Sequence, residues 1–256
     1  MPRNESLVFP GSRCVSCKKP IPWYDNIPLL SYLILRGRCR SCNASVSPRY
    51  FFVELISALC FVILFINFGF NYIFWIYSLL TFSLIVVTFI DLEFQIIPGI
   101  ISIGGIFLGV ALSIFFPLLQ YSFTWKVALF NSILGVLIGG GLIYITRMLG
   151  NLALFCFRHL GIYFRKDSYW RKIFSRYRHM KESMGLGDVE LMAMLGAFLG
   201  WKMAILIFFL APFFGAPIGI YMKFVKKEDI IPYGPYISLA GFVAMVWGHK
   251  ILSLLL

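Results

Sequence analysis

The chain has 256 residues, of which 60% are hydrophobic, 18% aromatic and only 13% charged, with a formal net charge of +12. Soluble domains carry about 25% charged residues, and a mean hydropathy of +0.84 implies more apolar surface than a water-soluble fold of this length can hide. Disorder, a fibrous repeat and a soluble globule are excluded, and lipid is the solvent for most of the chain.

The first 49 residues are polar and contain no apolar run long enough for a secretory signal. They hold four of the six cysteines, as Cys14-Val-Ser-Cys17 and Cys39-Arg-Ser-Cys42. Two CxxC pairs at this spacing present four thiolates to one tetrahedral ion, and Zn²⁺ prefers such soft ligands. The alternatives are disulfides or redox use. All-Cys ligation leaves no open position, so the expected zinc is structural. Asn43 after the second pair tolerates a left-handed turn, and Lys18 after the first is a poorer choice. Cys60 and Cys156 stand alone in apolar surroundings and read as small buried hydrophobes.

A membrane helix needs about 20 mainly apolar residues. Seven segments are predicted to span: Phe51–Phe68, Tyr72–Ile90, Ile97–Leu119, Val127–Thr146, Val189–Gly200, Met203–Phe224 and Tyr236–Leu255. The fifth is short and opens with two carboxylates, which suits a start inside the protein. Leu152–Phe164 is apolar but contains Arg158 and His159, and reads as an interfacial segment. The predicted fold is all-α and polytopic, with a cytoplasmic zinc-binding domain over 1–49 and a transmembrane domain over 50–256.

Alternate connections divide the charge. Residues 1–49, the turn 91–96, the loop 147–187 and the segment 223–232 hold twenty of the 23 Lys and Arg, and Lys126, Lys202 and Lys250 lie on the other side. That asymmetry predicts a cytoplasmic N-terminal domain and 147–187 loop. It also accounts for the net charge without a nucleic-acid partner. Residues 163–181 interleave aromatic and basic side chains, including Tyr169, Trp170, Arg171 and Lys172. They suit either an anionic membrane surface or a solvated positive-inside loop.

Carboxylates at a membrane boundary are costly and mark function by default. Glu54 lies in the first span, Asp91 ends the second with Glu93 close behind, and Asp188 and Glu190 open the fifth. The topology puts Asp91 and Asp188 on the same edge. Two aspartates facing one water are what aspartic proteolysis requires: one carboxyl stays protonated while the other takes a proton from water. The competing reading is two ordinary helix-end charges.

At these residues the chain resembles the prepilin peptidases, a family of GxGD membrane aspartic proteases. The anchors are Cys14–Cys17, Trp23–Pro28, Arg36–Cys39, Ser47–Tyr50, Val53–Leu55, Asp91 with Pro98, Met184–Asp188, Gly196–Trp201 and Ile231–Tyr236. The resemblance implies catalytic roles for Asp91 and Asp188; Glu93, two residues on at the same helix end, is the runner-up for the first on spacing, and the family's pattern favours Asp91. It implies a cytoplasmic zinc site at Cys14, Cys17, Cys39 and Cys42. It further implies cleavage of prepilin or pseudopilin leaders at the cytoplasmic face of the bacterial inner membrane. N-methylation from S-adenosylmethionine then follows, with pilus or secretion assembly machinery as partners. The departures are Glu190 where the family favours Lys, Gly99 where it favours Asp or Asn, and a longer 147–187 loop. The family also carries a membrane helix ahead of the cysteines, and Met1 falls just past its end, from a late start or one span fewer. The rival functions are a proton-coupled transporter or relay using the same acids, and a membrane scaffold for secretion. No pair of matching halves supports the transporter.

Overall fold

The computed structural model describes residues 12–163, 184–222 and 232–255. Among these residues it is all-helical, with no β-strand beyond two isolated bridges. The basic aromatic stretch between 164 and 181 lies outside the described residues.

The chain divides into two compact units, Met1–Phe74 and Trp75–Leu256. The first contains a short 3-10 turn at Trp23–Asn26, helix α1 (Leu30–Ile34) and helix α2 (Pro48–Phe68). Ser47 caps α2 by accepting from the Arg49 N–H at 3.3 Å, and Pro48 occupies the first helical position, where no N–H is needed. Glu54 accepts the Leu29 N–H at 2.7 Å. Leu29 has φ +60°, so this one bond pins a left-handed entry into α1. Along α2 only Leu64 is buried.

The second unit contains most of α3 (Tyr72–Phe94), then α4 (Gly99–Phe115), α5 (Trp125–Tyr163), α6 (Leu186–Leu199), α7 (Trp201–Tyr221) and α8 (Gly234–Leu255). Its core is α6. Every residue from Leu191 to Gly200 is buried, with α4, α5, α7 and α8 packed around them. Small residues permit the closest approach: a Cβ on Gly135 of α5 would run into the Gly196 carbonyl of α6, and one on Gly196 into the Gly135 carbonyl. The last turn of α6 leaves carbonyls without helical partners. Ala197 O is satisfied twice, by Ser132 Oγ at 2.7 Å and Gln120 Nε2 at 2.8 Å.

Five described helices are long and apolar enough to cross a membrane: α2, α3, α5, α7 and α8. Helix α4 has 17 residues and α6 has 14, so two of the seven expected spans are shorter than the usual length. The third expected span ends early because Pro117 starts a 3-10 turn, Pro117–Gln120. The fourth runs long. Helix α5 continues unbroken for 39 residues to Tyr163, so Leu152–Tyr163 continues a spanning helix instead of forming a separate interfacial segment. Residues 147–163 of the expected loop are therefore helical. One Arg and one His do not stop a helix that contains no proline from Trp125 onward.

Candidate active site

In the first unit the two CxxC segments form equivalent knuckles. Cys14 N–H donates to Lys19 O and Lys18 N–H to Cys14 O; Cys39 N–H donates to Ala44 O and Asn43 N–H to Cys39 O. Arg13 pairs with Pro20, and Arg38 with Ser45. Both knuckles need a left-handed residue after the second cysteine, and both have one: Lys18 at φ +58° and Asn43 at φ +55°. The expected asymmetry is thus real in sequence and absent in backbone. Lys18 carries the cost of that turn, so Lys18→Gly is expected to raise stability by about 1 kcal/mol, read as a higher thermal midpoint.

The four sulfurs lie within 4.8 Å of one another, with Cys14 Sγ and Cys42 Sγ 3.8 Å apart. A tetrahedral ion with ~2.3 Å metal–sulfur bonds sets its sulfurs ~3.8 Å apart, so the cluster fits a metal ion. Its electrostatics fit as well. The Cys17 and Ser16 N–H groups pull the Cys14 thiol down to about 6. At Cys42 the Ala44 N–H pulls down, but burial and the three neighbouring thiols push the group up to about 11. Four thiols this close resist ionising together, and a cation among them removes that resistance. Behind the second knuckle, Arg40 makes a two-pronged ion pair with Asp25, at 2.6 and 2.7 Å, and lies over the Tyr24 ring. This ties Cys39–Cys42 to the Trp23–Asn26 turn.

In the second unit Asp91 and Asp188 are both buried, at 5% and 8% exposure, and lie within electrostatic reach of one another. Asp91 sits in the last turn of α3, which ends where Gln95 turns left-handed at φ +54° and donates back to Asp91 O. Asp188 sits in the first turn of α6 and accepts the N–H of its own N-cap, Gly185, at 3.3 Å. Asp91 Oδ2 accepts the Gly234 N–H at 3.0 Å, from the start of α8. The glycines are there for space. A Cβ on Gly234 would lie 2.7 Å from Asp91 Oδ2, and one on Gly187 would lie 2.7 Å from Ile97 Cβ. Ile97 also approaches Gly234, so its side chain is a spacer between the α6 and α8 entries.

The neighbouring acids face elsewhere. Glu93 is exposed, two residues beyond buried Asp91. Glu190 accepts a 2.6 Å hydrogen bond from Ser102 of α4. The elements at the aspartates also include two residues that the residue-by-residue reading did not single out, Tyr233 and Gly234. Their signal was the Pro232-Tyr-Gly-Pro235 run: a turn rich in proline and glycine between apolar segments, with a glycine where the backbone must approach closely.

Comparison with known proteins follows the same division. Residues 1–68 match the bacterial peptidase A24 N-terminal domain, and residues 78–220 match the type IV leader peptidase family. A prepilin leader peptidase/N-methyltransferase of Aeromonas hydrophila is 36% identical over 250 residues, covering 96% of this chain and 74% of that protein. Proteins of the same name from Stutzerimonas stutzeri and Pseudomonas aeruginosa are 34% and 33% identical, each over 96% of this chain and 75% and 74% of their own length. No solved structure matches the chain. The chain belongs to the type IV leader peptidase family.

Proposed function

We propose that the chain cleaves the leader peptide of type IV prepilins or pseudopilins, with Asp91 and Asp188 as its catalytic pair, and then methylates the new N-terminus. The observation that supports this most directly is that two buried carboxylates at the ends of α3 and α6, each held by one backbone N–H, lie within electrostatic reach of one another. Like charges at close range cannot both ionise, so the pair holds one proton. The ionised carboxylate takes a proton from water, and the water oxygen attacks the scissile carbonyl. The neutral carboxyl hydrogen-bonds that carbonyl, and the released amine takes up a proton as the C–N bond breaks.

The same reading assigns residues 1–49 as a cytoplasmic metal domain and 50–256 as the peptidase domain. The excess of Lys and Arg on the N-terminal side of the membrane supports the cytoplasmic placement. A prepilin's basic leader and apolar helix meet at that boundary, where both aspartates are expected. Zinc is the expected occupant of the Cys14, Cys17, Cys39 and Cys42 cluster, because it favours tetrahedral thiolates without redox change. The machinery that assembles pili or secretion pseudopili would receive the product.

The relatives' names pair cleavage with N-methyl transfer. S-adenosylmethionine supplies an electrophilic methyl group on a sulfonium cation. The first unit has a cleft of about 770 Å³ beside the cysteines, lined by Tyr24, Asp25, Tyr32 and Glu54 among others. Its volume is in the range of cofactor sites. Aromatic faces suit an adenine, and the Glu54 carboxylate suits a cationic centre.

The test is direct. Detergent-solubilised protein incubated with a leader-bearing pilin peptide is expected to give the shortened peptide by mass, and a singly methylated one when the donor is added. Metal analysis of the same sample is expected to give about one zinc per chain. Intact peptide after incubation with folded, metal-loaded protein would refute the reading.

A further inference from the structure

Helix α1 has two unlike sides. Ser31, Tyr32 and Leu35 line the cleft beside the cysteines. Leu30, Leu33 and Ile34 do not line it, and they are 51%, 61% and 65% exposed. Residues three and four apart share one helix face, so α1 turns an apolar face outward. Arg36 and Arg38 follow directly and are both exposed.

The height of α1 is set by α2, which is long and apolar enough to cross a membrane. The Leu29 N–H donates to Glu54 at 2.7 Å, and the Tyr32 ring packs on the Phe51 ring with centroids 5.4 Å apart. Glu54 lies six residues past Pro48, the first residue of α2, which is about 9 Å along the axis. The whole of α2 has 21 residues, about 31 Å against a hydrocarbon core of about 30 Å. It has no spare turn with which to lift α1 clear of the bilayer. Phe52 and Ile56, on either side of Glu54, are exposed apolar residues of the same span.

A segment at that depth must satisfy its own backbone, and this one does. The N–H groups of Ser31, Leu33, Leu35 and Gly37 donate to the carbonyls of Ile27, Leu29, Ser31 and Tyr32, at 2.9–3.2 Å. Ser31 Oγ donates to Ile27 O at 2.7 Å. The Leu29 N–H, which precedes the helix, is the one that Glu54 accepts. Charge points the same way. Residues 1–49 hold eight Lys and Arg against Glu5 and Asp25, and Asp25 is already paired with Arg40. Anionic headgroups attract such an excess, and an apolar face beside basic residues suits a surface-inserting segment.

We propose that the Leu30, Leu33 and Ile34 face of α1 inserts into the leaflet that the start of α2 crosses, with Arg36 and Arg38 on its anionic headgroups. The partner of this surface is lipid. A protein partner would have to displace the lipid that surrounds α2 at the same level. The cysteine cluster is thereby held against the membrane by two attachments, the α2 span and the α1 face, whether or not a substrate is bound.

Photo-crosslinking tests this in the full chain, reconstituted without substrate into vesicles of phosphatidylethanolamine and phosphatidylglycerol. Benzoylphenylalanine is placed at position 33, with position 34 as a second site and position 52 of α2 as the lipid-facing reference. Retained metal in each labelled protein is the folding check. After irradiation, positions 33 and 34 are expected to give lipid adducts by mass, at the yield of position 52. Arg36→Gln with Arg38→Gln is expected to lower the yield at position 33 about fivefold, the effect of one basic residue at an anionic surface. Adducts only to protein, within the chain or to a second copy, would make the face a protein contact and overturn the proposal. Absence of any adduct at positions 33 and 34, with lipid adducts at position 52, would place the face in water and overturn it too. An unchanged yield in the arginine variant would overturn the headgroup contact.

Discussion

Asp91→Asn and Asp188→Asn are each expected to abolish leader cleavage, and the double variant is expected to be no worse than either alone. Asparagine has nearly the shape of aspartate and can still accept through its carbonyl oxygen. The bonds from Gly234 to residue 91 and from Gly185 to residue 188 can therefore survive while the proton-transferring group is lost. In the proposed mechanism the two carboxyls act as one unit, so removing one removes the function of both. Glu93→Gln is expected to keep most activity, since that side chain is exposed. Glu190→Gln is expected to do the same, since an amide oxygen still accepts from Ser102. Cleavage of a leader-bearing pilin, followed by mass, checks all four. Methyl transfer to pre-cleaved pilin by Asp91→Asn serves as the folding control. Full cleavage by Asp91→Asn with loss in Glu93→Gln would move the first catalytic acid by two residues.

Gly234→Ala is expected to be the most damaging change that leaves every ionisable group in place. The added methyl would lie 2.7 Å from Asp91 Oδ2, 3.2 Å from its Cγ and 3.3 Å from Ile97 Cδ1. None of these is the free end of a long flexible side chain, so the carboxylate must turn away and its bond to the Gly234 N–H lengthens. A displacement of about 1 Å at a reacting group costs about 100-fold in rate, and the crowding costs about 1–3 kcal/mol in stability. The loss is expected in kcat for cleavage. Gly141→Ala in α5 is the control: a Cβ there meets nothing within 4 Å, and both activities are expected to stay at wild-type level.

The parts of this protein that were legible in sequence are those set by local pattern. Paired CxxC spacing announced the knuckles, because two residues between cysteines leave the backbone few ways to aim both sulfurs at one point. Apolar runs announced the helices. The positions of Asp91 and Asp188 stood out because carboxylates are rare in such a chain. What local pattern could not show was contact across long separations. Gly234 and Asp91 are far apart in the chain, and nothing near either residue signals their hydrogen bond. Nor could it show that α5 would run past Arg158 and His159 to Tyr163, because a polar residue weakens the apolar signal without breaking the backbone. Lys18 is the opposite case. The local preference was read correctly, and the symmetry of the two knuckles overrode it.

Helix α6 has 14 residues, about 21 Å at 1.5 Å per residue, against a hydrocarbon core of about 30 Å. A segment that short, with Asp188 and Glu190 at its head, is a poor client for the insertion machinery when presented alone. Its partner is α7, which follows after the single left-handed residue Gly200, φ +83°. The two would enter as a hairpin, with α6 dropping into a space that α4 and α5 have already formed and that α8 later closes. On that arrangement the order of synthesis would set when the site is complete. Asp188 would meet Asp91 only after most of the chain has left the ribosome, so a truncated or half-inserted product could not act as a protease on its neighbours in the membrane.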